Sequence, residues 1–408
     1  MDKNEEKHDK FAALKYRDFR LLWIGLFISN IGSQMQFTAI NWHIYILTNS
    51  AFALGAIGLS RFIPIVIFSL IGGAVADAHN RKKIMLATQT TLTILSLILA
   101  FSTLTHATTP VIIYAITALS AVAVAFDNPP RQAMIPSLVK KIHLPNAMSL
   151  NVIMWQTATI IGPALSGLLI AHLGVGFIYL INAISFLAVI SALILMHTTG
   201  EINGEAAKVS FRSVLEGLSF VKSKTIIWST MILDFFSTFF ASATSLMPIF
   251  AAKVLDVGPV GFGILYSAPA IGAVISGYTL AHIKSIRNQG KILISAIAIY
   301  GLATIVFGLS KFFPLSLVAM FFVGAADSIS TVLRNTIRQL STPDYIRGRM
   351  TSVNMIFFMG GPQLGEFEAG VLAAAFGAPL SVVIGGVGTI IVVSLAAAKI
   401  SVLRNYDQ

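Results

Sequence analysis

The sequence predicts an all-α membrane protein with twelve transmembrane helices, arranged as two pseudo-symmetric bundles of six. Three observations support this fold class. Charged residues make up only 11% of the 408 residues and hydrophobic residues 56%, whereas a soluble domain carries roughly 25% charged residues. The chain contains twelve long apolar runs, and its basic residues are concentrated in alternate gaps between them. Most of the surface is therefore expected to face lipid.

The twelve runs are each long enough to cross a bilayer, which takes about 20 apolar residues for about 30 Å of hydrocarbon. They are predicted to be helices because a lipid-facing backbone must satisfy its own hydrogen bonds, and the runs lack the alternation of strands. The predicted spans are 19–47, 54–76, 84–104, 110–128, 149–172, 175–196, 225–250, 259–281, 290–309, 314–334, 350–374 and 379–400.

The positions of the basic residues test this count independently. With the N-terminus inside, 25 of the 28 lysines and arginines fall in cytoplasmic segments; Lys253 and Lys311 fall outside and Arg61 lies within a span. The positive-inside rule predicts such a bias, and one miscounted helix would invert it. We therefore expect both termini to be cytoplasmic. The polar start and the long first apolar run do not fit a cleaved secretion signal.

The chain is expected to divide at its longest polar segment. The predicted parts are a cytoplasmic segment 1–18, a bundle 19–196, a cytoplasmic linker 197–224, a second bundle 225–400 and a tail 401–408. Charged and apolar residues alternate in the linker with a spacing that fits an amphipathic helix on the inner membrane face; a loose linker is the alternative.

The two halves resemble each other at an offset near 200 residues. Asp127 recurs as Asp327, and Gly162-Pro163 recurs as Gly361-Pro362. Duplicated six-helix units are typical of transporters that move two bundles about a site near the bilayer midplane.

The segment between spans two and three contains a recognisable motif. Residues 72–83 read GGAVADAHNRKK, which resembles the loop motif of the major facilitator superfamily: Gly, three residues, Asp, Arg, one residue, Gly and two basic residues. The matching residues are Gly73, Asp77, Arg81 and Lys82, whereas Ala78 and Asn80 depart from it. The alternative is a plain basic inside loop.

Each matching residue of this motif has an expected role. We expect Gly73 to permit close helix packing and Asp77 to accept hydrogen bonds from a helix N-terminus or a guanidinium. The resemblance implies a cytoplasmic gate, in which this loop meets the start of span eleven near Arg347 and Arg349.

Span five carries a second motif of the superfamily. Residues 162–167 read GPALSG, which resembles the Gly-Pro motif of its exporters. Pro163 removes the hydrogen bond to the carbonyl of Thr159 and bends the helix, while Gly162 and Gly167 permit tight packing. This motif favours export over import.

Three further stretches resemble one branch of the superfamily, the branch that includes bacterial exporters of the siderophore enterobactin. They are residues 126–132 (FDNPPRQ), 361–366 (GPQLGE) and 233–235 with 246–248, and the resemblance covers essentially the whole chain. It implies a monomeric antiporter of the bacterial inner membrane that expels a small organic molecule, siderophore or drug-like, in exchange for protons. The arginine that many superfamily antiporters carry in span four is absent.

Ionisable residues at membrane depth are costly, and each is therefore a functional candidate. They are Arg61, Asp127, Asp234, Asp327, Glu366 and Glu368. We expect Asp127 to form a structural ion pair with Arg131. The proton-coupling candidates are Asp234, Glu366 and Asp327, and the substrate-cavity candidates are Asn30, Gln34, Asn41, Asp234, Gln363 and Glu366.

The surroundings of these acids leave two questions open. Asp327 shares a helical stripe with Thr331, Arg334 and Arg338, which predicts either the wall of a hydrated path or an ion-pair ladder within span ten. Glu366 and Glu368 lie about 200° apart on a helix, so we expect Glu366 to face inward and Glu368 another helix.

Arg61 in span two lies at a similar predicted depth to Glu366 and Glu368 in span eleven. We therefore predict an outer gate in which Arg61 pairs with one of the two glutamates. Snorkelling of Arg61 to the outer surface and binding of an anionic substrate are the alternatives.

Several classes of function are excluded by the sequence. It contains no phosphate-binding loop, no histidine cluster with metal spacing and no cysteine, and we expect no enzyme activity, cofactor, metal or nucleic-acid partner. His43 and His172 are isolated and are interpreted as packed or interfacial residues. The expected partners are a small-molecule substrate, protons and membrane lipids. Uptake, lysophospholipid flipping and a non-transporting receptor are the alternatives.

Overall fold

The computed structural model describes residues 11–200, 211–283 and 286–407, and over these ranges the chain is helical without strands. The helices are α1 Arg17–Thr48, α2 Ala51–Ala78, α3 Arg81–Leu104, α4 Pro110–Leu138, α5 Leu144–Leu173, α6 Val175–Leu195, α7 Phe211–Ser223, α8 Thr225–Phe240, α9 Met247–Ile249, α10 Gly258–Ala281, α11 Gln289–Leu309, α12 Phe313–Leu340, α13 Arg347–Phe376, α14 Ala378–Lys399 and α15 Ser401–Arg404.

Ten helical segments of the described chain are long and apolar enough to cross a membrane. Two more, α1 and α13, contain 32 and 30 residues and are long enough at 1.5 Å per residue, but they carry more polar side chains. The predicted class, an all-α membrane protein, is confirmed. The count of twelve spans stays a prediction with respect to α1 and α13.

The predicted span 225–250 is interrupted. Helix α8 ends at Phe240, and the chain continues through a 3₁₀ turn, the short α9 and a π-helical turn Phe250–Val254. Pro248 lies in the first turn of α9. A backbone N–H at this position would have no hydrogen-bond partner within the helix, so proline is tolerated there. The Ser242 hydroxyl at the break lies 2.9 Å from the Thr238 carbonyl and 3.0 Å from the Pro362 carbonyl. The polar break is thereby tied to α13.

Contacts group the chain into two units. The first comprises Met1–His43 with Ile63–Lys208, and the second comprises Ile44–Phe62 with Val209–Gln408. The hairpin of residues 44–62, which joins the end of α1 to the first part of α2, therefore belongs with the second unit. The sequence signal for two halves contains no sign of this exchange.

The first unit has an apolar core and a buried polar network. Phe19, Leu22 and Leu26 of α1 pack with side chains of α4, α5 and α6. Further along α1, the Gln36 Oε1 atom accepts hydrogen bonds from Ser96 of α3 at 2.9 Å and Asn182 of α6 at 2.8 Å. Interhelical hydrogen bonds of this kind are a common means of fixing helix positions inside membranes.

In the second unit, helices approach closely where side chains are absent. A Cβ atom on Gly324 of α12 would lie 1.8 Å from the Pro269 carbonyl oxygen of α10, and one on Gly361 of α13 would lie 2.9 Å from the Phe235 carbonyl oxygen of α8. The bundle therefore depends on glycine at these crossings. These contacts hold α12 against α10 and α13 against α8.

Helix α7 covers part of the predicted amphipathic linker; residues 201–210 lie outside the described chain. Val221 is buried with Ile227 and Met231 of α8, whereas Lys222 is exposed and lies 6.0 Å from the Trp228 ring centroid. Glu216 of α7 pairs with Arg349 of α13 at 2.8 Å. The position of α7 on a membrane surface stays a prediction.

Candidate functional site

Two buried arginines of α12 face one buried aspartate of α8. Arg334 Nη2 lies 2.9 Å from Asp234 Oδ1, and Arg338 Nη1 lies 3.5 Å from Asp234 Oδ2. No more than 2% of any of the three side chains is exposed. Removing one partner from such a buried pair costs about 3–5 kcal/mol because the other charge is stranded. The three residues are therefore expected to stay together.

Asp327 is the fourth charge of this cluster, and its environment differs. Its Oδ1 atom lies 3.7 Å from Arg334 Nη2, beyond hydrogen-bond distance, and 46% of its side chain is exposed. The same Arg334 nitrogen donates to the Thr331 hydroxyl at 3.0 Å. Of the two carboxylates in the cluster, Asp327 is thus the accessible and loosely held one.

The remaining contacts hold Arg338 more firmly than Arg334. Arg338 donates to the Arg334 carbonyl at 3.1 Å, to Asn335 at 3.0 Å and to the side chain of Asn354 on α13. Arg334 Nε is buried without a hydrogen-bond partner among the described residues. With all four groups ionised the cluster is neutral, which limits the cost of burying it.

The stripe on α12 that the sequence predicts is present, with an additional partner. Asp327, Thr331, Arg334 and Arg338 are linked as expected for an ion-pair ladder, but the ladder is anchored on Asp234 of a different helix. Sequence reasoning missed this pairing. The signal was available, since two arginines one turn apart at membrane depth require acidic partners.

Asp127 occupies the repeat-related position in the first unit and is fully satisfied. It pairs with Arg131, as predicted, and accepts from Thr88 at 2.6 Å and Gln89 at 3.0 Å. Asp127 is completely buried. Of the two repeat-related acids, only Asp327 is open to its surroundings.

A second charged cluster of the second unit joins the hairpin to α13. A Cβ atom on Gly58 would lie 2.8 Å from Glu366 Oε2, and Arg61 follows one helical turn later. Arg61 and Glu366 interact electrostatically, and Tyr266 of α10 lies near both. Glu368 is only partly buried. Whether these groups form an outer gate stays a prediction.

The polar cavity candidates of the first unit lie largely within its helices. Asn30 and Asn41 are buried, and the Asn41 amide donates to the Phe37 carbonyl at 2.9 Å. Gln34 is partly buried and donates to the Thr159 hydroxyl of α5 at 3.3 Å. In the second unit, the Gln363 Oε1 atom is buried without a hydrogen-bond partner among the described residues.

The loop motif holds the end of α6. Asn80 caps α3 by accepting from the Lys83 amide at 3.1 Å, and it donates to the Thr199 carbonyl at 2.8 Å. Lys82 donates to the Met196 carbonyl at 2.8 Å. Asn80, which departs from the superfamily motif, thus supplies a contact of its own. The cytoplasmic gate at Asp77 stays a prediction.

The expected role of Gly73 is wrong. A Cβ atom on Gly73 would meet nothing within 4 Å, whereas one on Gly72 would lie 2.4 Å from the Ala125 carbonyl oxygen of α4. The close approach therefore occurs one residue earlier. The face of α2 that meets α4 is set by the helical register, which the motif alone does not define.

The Gly-Pro motif lies in a tightly packed part of α5. Gly162, Pro163 and Gly167 are all buried, and a Cβ atom on Gly162 would lie 2.5 Å from the Gln34 Cβ atom of α1. Helix α5 continues through Pro163 to Leu173.

The two isolated histidines differ in environment. His43 is buried, and its Nδ1 atom lies 3.0 Å from the Tyr179 hydroxyl. His172 is exposed near the end of α5.

A contact that the sequence did not reveal fastens the start of α1. Asp18 Oδ2 accepts hydrogen bonds from the backbone of His197 at 3.1 Å and of Thr198 at 2.8 Å, and from the Thr198 hydroxyl at 2.6 Å. Residues 179 and 180 positions apart are thereby joined at the predicted cytoplasmic end of the first unit.

Long apolar helices with charged side chains inside their bundle define a helical membrane protein. A family model described as "Transmembrane secretion effector" matches residues 8–408, and the chain belongs to this family of the major facilitator superfamily. Its members are membrane transporters and not enzymes.

Individual relatives are similar over almost their whole length. A Staphyloferrin A transporter of Staphylococcus aureus is 26% identical over 386 residues, covering 91% of each chain. An Enterobactin exporter EntS of Citrobacter koseri is 25% identical, covering 96% of this chain and 93% of its own. A bacterial homologue of the human lysosomal transporter Spinster shares the fold, with a TM-score of 0.74 at 15% identity over 95% of this chain and 98% of its own.

Proposed function

We propose that this protein is a proton-coupled exporter of a small organic solute of the siderophore type, located in the bacterial inner membrane. The names of its relatives and of its family support both the solute class and the outward direction. The observation that carries the proposal is the accessible carboxylate of Asp327 in an otherwise buried, neutral cluster.

Asp327 is better suited to carry the proton than Asp234. Asp234 is held by two arginines in a buried site, so protonating it would strand their charge. Asp327 has one loose ionic contact and is nearly half exposed. Arg334, Asp234 and Tyr300 lie within electrostatic reach of Asp327. A proton can therefore reach it at the smallest cost to the cluster.

The Asp327 carboxylate could also make proton binding and solute binding compete. An ionised Asp327 can accept hydrogen bonds from hydroxyl or ammonium groups of a solute, and a proton on the same carboxylate removes its charge and occupies one of its acceptor sites, which weakens that binding. Proton and solute would then exclude each other at one site, which is the requirement for exchange of one for the other. Such coupling is reciprocal, because whatever factor the proton imposes on solute affinity the solute imposes on proton affinity.

Everted membrane vesicles allow a direct test, with iron-free enterobactin and staphyloferrin A as test solutes. We expect uptake into the vesicles against a gradient, lost on adding an uncoupler. Asp327→Asn should abolish uphill transport but retain exchange of labelled for unlabelled solute. Asp256→Asn, the same change at an exposed acid outside the long helices, should behave as wild type.

Two results would reject parts of this proposal separately. Uphill transport by Asp327→Asn at the wild-type rate would reject Asp327 as the proton carrier. If neither solute moves but cells lacking the protein accumulate another metabolite, the siderophore class is rejected and the exporter is not.

A further inference from the structure

The short segment before α1 is docked on the start of α5. It forms a 3₁₀ turn, Ala12–Lys15, and Ala12 and Ala13 are buried. The Ala13 amide donates to Asn146 Oδ1 at 2.9 Å, and the Tyr16 hydroxyl lies 3.0 Å from His143 Nδ1. Two stretches of chain, 133 and 127 positions apart at these contacts, thereby share one surface at the predicted cytoplasmic end of the first unit.

Five exposed basic side chains lie on these two stretches. Each is within four residues of Tyr16 or His143, which contact each other, so all five belong to the same part of the surface. They are Lys15, Arg17, Arg20, Lys140 and Lys141. We call these five residues, together with Phe11 and Ile142, the basic platform.

Other basic side chains at this end of the first unit are used within the protein. Lys82 donates to the Met196 carbonyl at 2.8 Å, and Arg131 pairs with the buried Asp127. Such contacts tie helices and loops to one another. The platform differs because its basic side chains are all exposed and can meet a partner from outside the chain.

The positive charge of the platform is little offset by acids. Residues 11–200 contain three acids, and only Asp18 lies beside the platform in the sequence. Its Oδ1 atom lies 3.3 Å from Arg17 Nη1, and its Oδ2 atom accepts hydrogen bonds from Thr198. One carboxylate faces five basic groups, which leaves a strong excess of positive charge.

Large apolar side chains accompany these charges. Phe11 is 61% exposed and Ile142 56% exposed, and each lies on one of the two stretches. Exposed apolar residues beside lysine and arginine are typical of surfaces that lie at the boundary between headgroups and acyl chains. Clusters of four to eight basic residues at the cytoplasmic end of a membrane helix attract anionic lipid, and the platform has five.

We propose that the basic platform is a binding site for anionic phospholipid. The lipid phosphates pair with the five basic side chains, and the guanidinium groups of Arg17 and Arg20 can bind phosphate oxygens in a bidentate manner. Phe11 and Ile142 lie at the start of the acyl chains. The docked segment is essential to the site, because the contact between Ala13 and Asn146 holds the two basic stretches together. This inference does not rest on the proposed export.

The absence of cysteine from the sequence allows a single fluorescent label at Ile142→Cys. The labelled full chain is placed in phosphatidylcholine nanodiscs with a small fraction of nitroxide lipid, either phosphatidylglycerol or phosphatidylcholine with the nitroxide at the same acyl carbon. We expect stronger quenching by phosphatidylglycerol, and a smaller difference at high salt because salt screens exposed charges. The same label at Val111→Cys, exposed in a stretch 84–130 without lysine or arginine, should be quenched equally by both lipids.

Three variants separate the platform from net charge. The double variant Lys140→Gln with Lys141→Gln should lower the preference for phosphatidylglycerol by about fivefold for each lysine. Lys311→Glu removes the same two units of charge at an exposed position of the second unit and should leave the preference unchanged. Asn146→Ala keeps every basic side chain but removes the Ala13 contact, and it should also lower the preference.

Equal quenching by the two lipids at Ile142→Cys would overturn the proposal, as would a preference that survives the double lysine variant. A preference that Lys311→Glu abolishes would assign the attraction to net charge instead of the platform. Full preference in Asn146→Ala would reject the assembly of the site by the docked segment. The label reports no transport, so failure here is distinct from failure of the proposed export.

Discussion

Arg334 and Asp234 join α12 to α8 through a contact of 2.9 Å between Nη2 and Oδ1, with both side chains almost completely buried. The same arginine holds Asp327 only at 3.7 Å. One guanidinium therefore has a permanent partner and a loose one. This asymmetry separates structural charges from the charge that is available for coupling, and it leads to different predictions for the two acids.

Asp234→Asn should destabilise the protein by about 3–5 kcal/mol, because two buried arginines lose their main counter-ion. Thermal unfolding in detergent measures this loss. The double variant Asp234→Asn with Arg334→Gln should lose less than the sum of the single variants, since residues of one charge network are not additive. Unchanged unfolding temperature in Asp234→Asn would show that the pair does not support the fold.

Asp327→Asn should destabilise the protein clearly less than Asp234→Asn. The Asp327 side chain is nearly half exposed and lies 3.7 Å from Arg334, whereas Asp234 keeps the closer contact with that buried arginine. The same thermal unfolding measurement applies, with Asp256→Asn as the matched control. A loss as large as that of Asp234→Asn would mean that Asp327 is a structural ion as well, and would weaken its assignment as proton carrier.

Asp127→Asn provides the comparison between the two repeats. The native carboxylate takes hydrogen bonds from Thr88 and Gln89 and pairs with Arg131 in a buried site. An amide can accept only part of these bonds, and unsatisfied buried groups cost about 1–3 kcal/mol. We expect a loss of unfolding temperature but intact proton coupling in the folded fraction. Uncoupled transport by a stable Asp127→Asn would contradict the division of roles between the repeats.

The fold class could be predicted from the sequence because a lipid bilayer restricts which structures can cross it. Apolar length and backbone hydrogen bonding decide that such runs are helices, and the helices of the structure match the predicted runs closely. The break after Phe240 and the close approach at Gly72 instead of Gly73 depend on register between neighbouring helices. One-dimensional hydropathy does not contain that information.

The candidate site was predicted less completely for a related reason. Asp234, Asp327 and Glu366 are conspicuous because charge in a membrane is rare. Which acid meets which arginine depends on helix packing, so the Asp234–Arg334 pair was not foreseen. Pairings within one helix, such as Asp127 with Arg131, could be predicted because residues four apart share a face.

The contact of Asp18 with residues 197 and 198 leads to a prediction on pH. Asp18 precedes the predicted span 19–47. Burial alone would raise the pKa of its carboxyl, but hydrogen bonds from Thr198 and His197 outweigh burial and hold the pKa below its ordinary value. A carboxyl with a depressed pKa in the folded state stabilises that state above its unfolded pKa, about 3.9. This contribution is lost as the pH falls through the folded-state pKa.

Backbone hydrogen exchange at His197 and Thr198 measures this contact, because both amides donate to Asp18. After correction for intrinsic rates, protection should be constant from about pH 8 to about pH 5 and should fall below about pH 4. Asp18→Ala should remove the protection at every pH, whereas Asp256→Ala, at an exposed acid of the second unit, should not. Protection that is lost as the pH falls from about 7 to about 5 would place the transition above the unfolded carboxyl pKa, where a carboxyl with a depressed pKa does not titrate, and would assign the contact to a group other than Asp18.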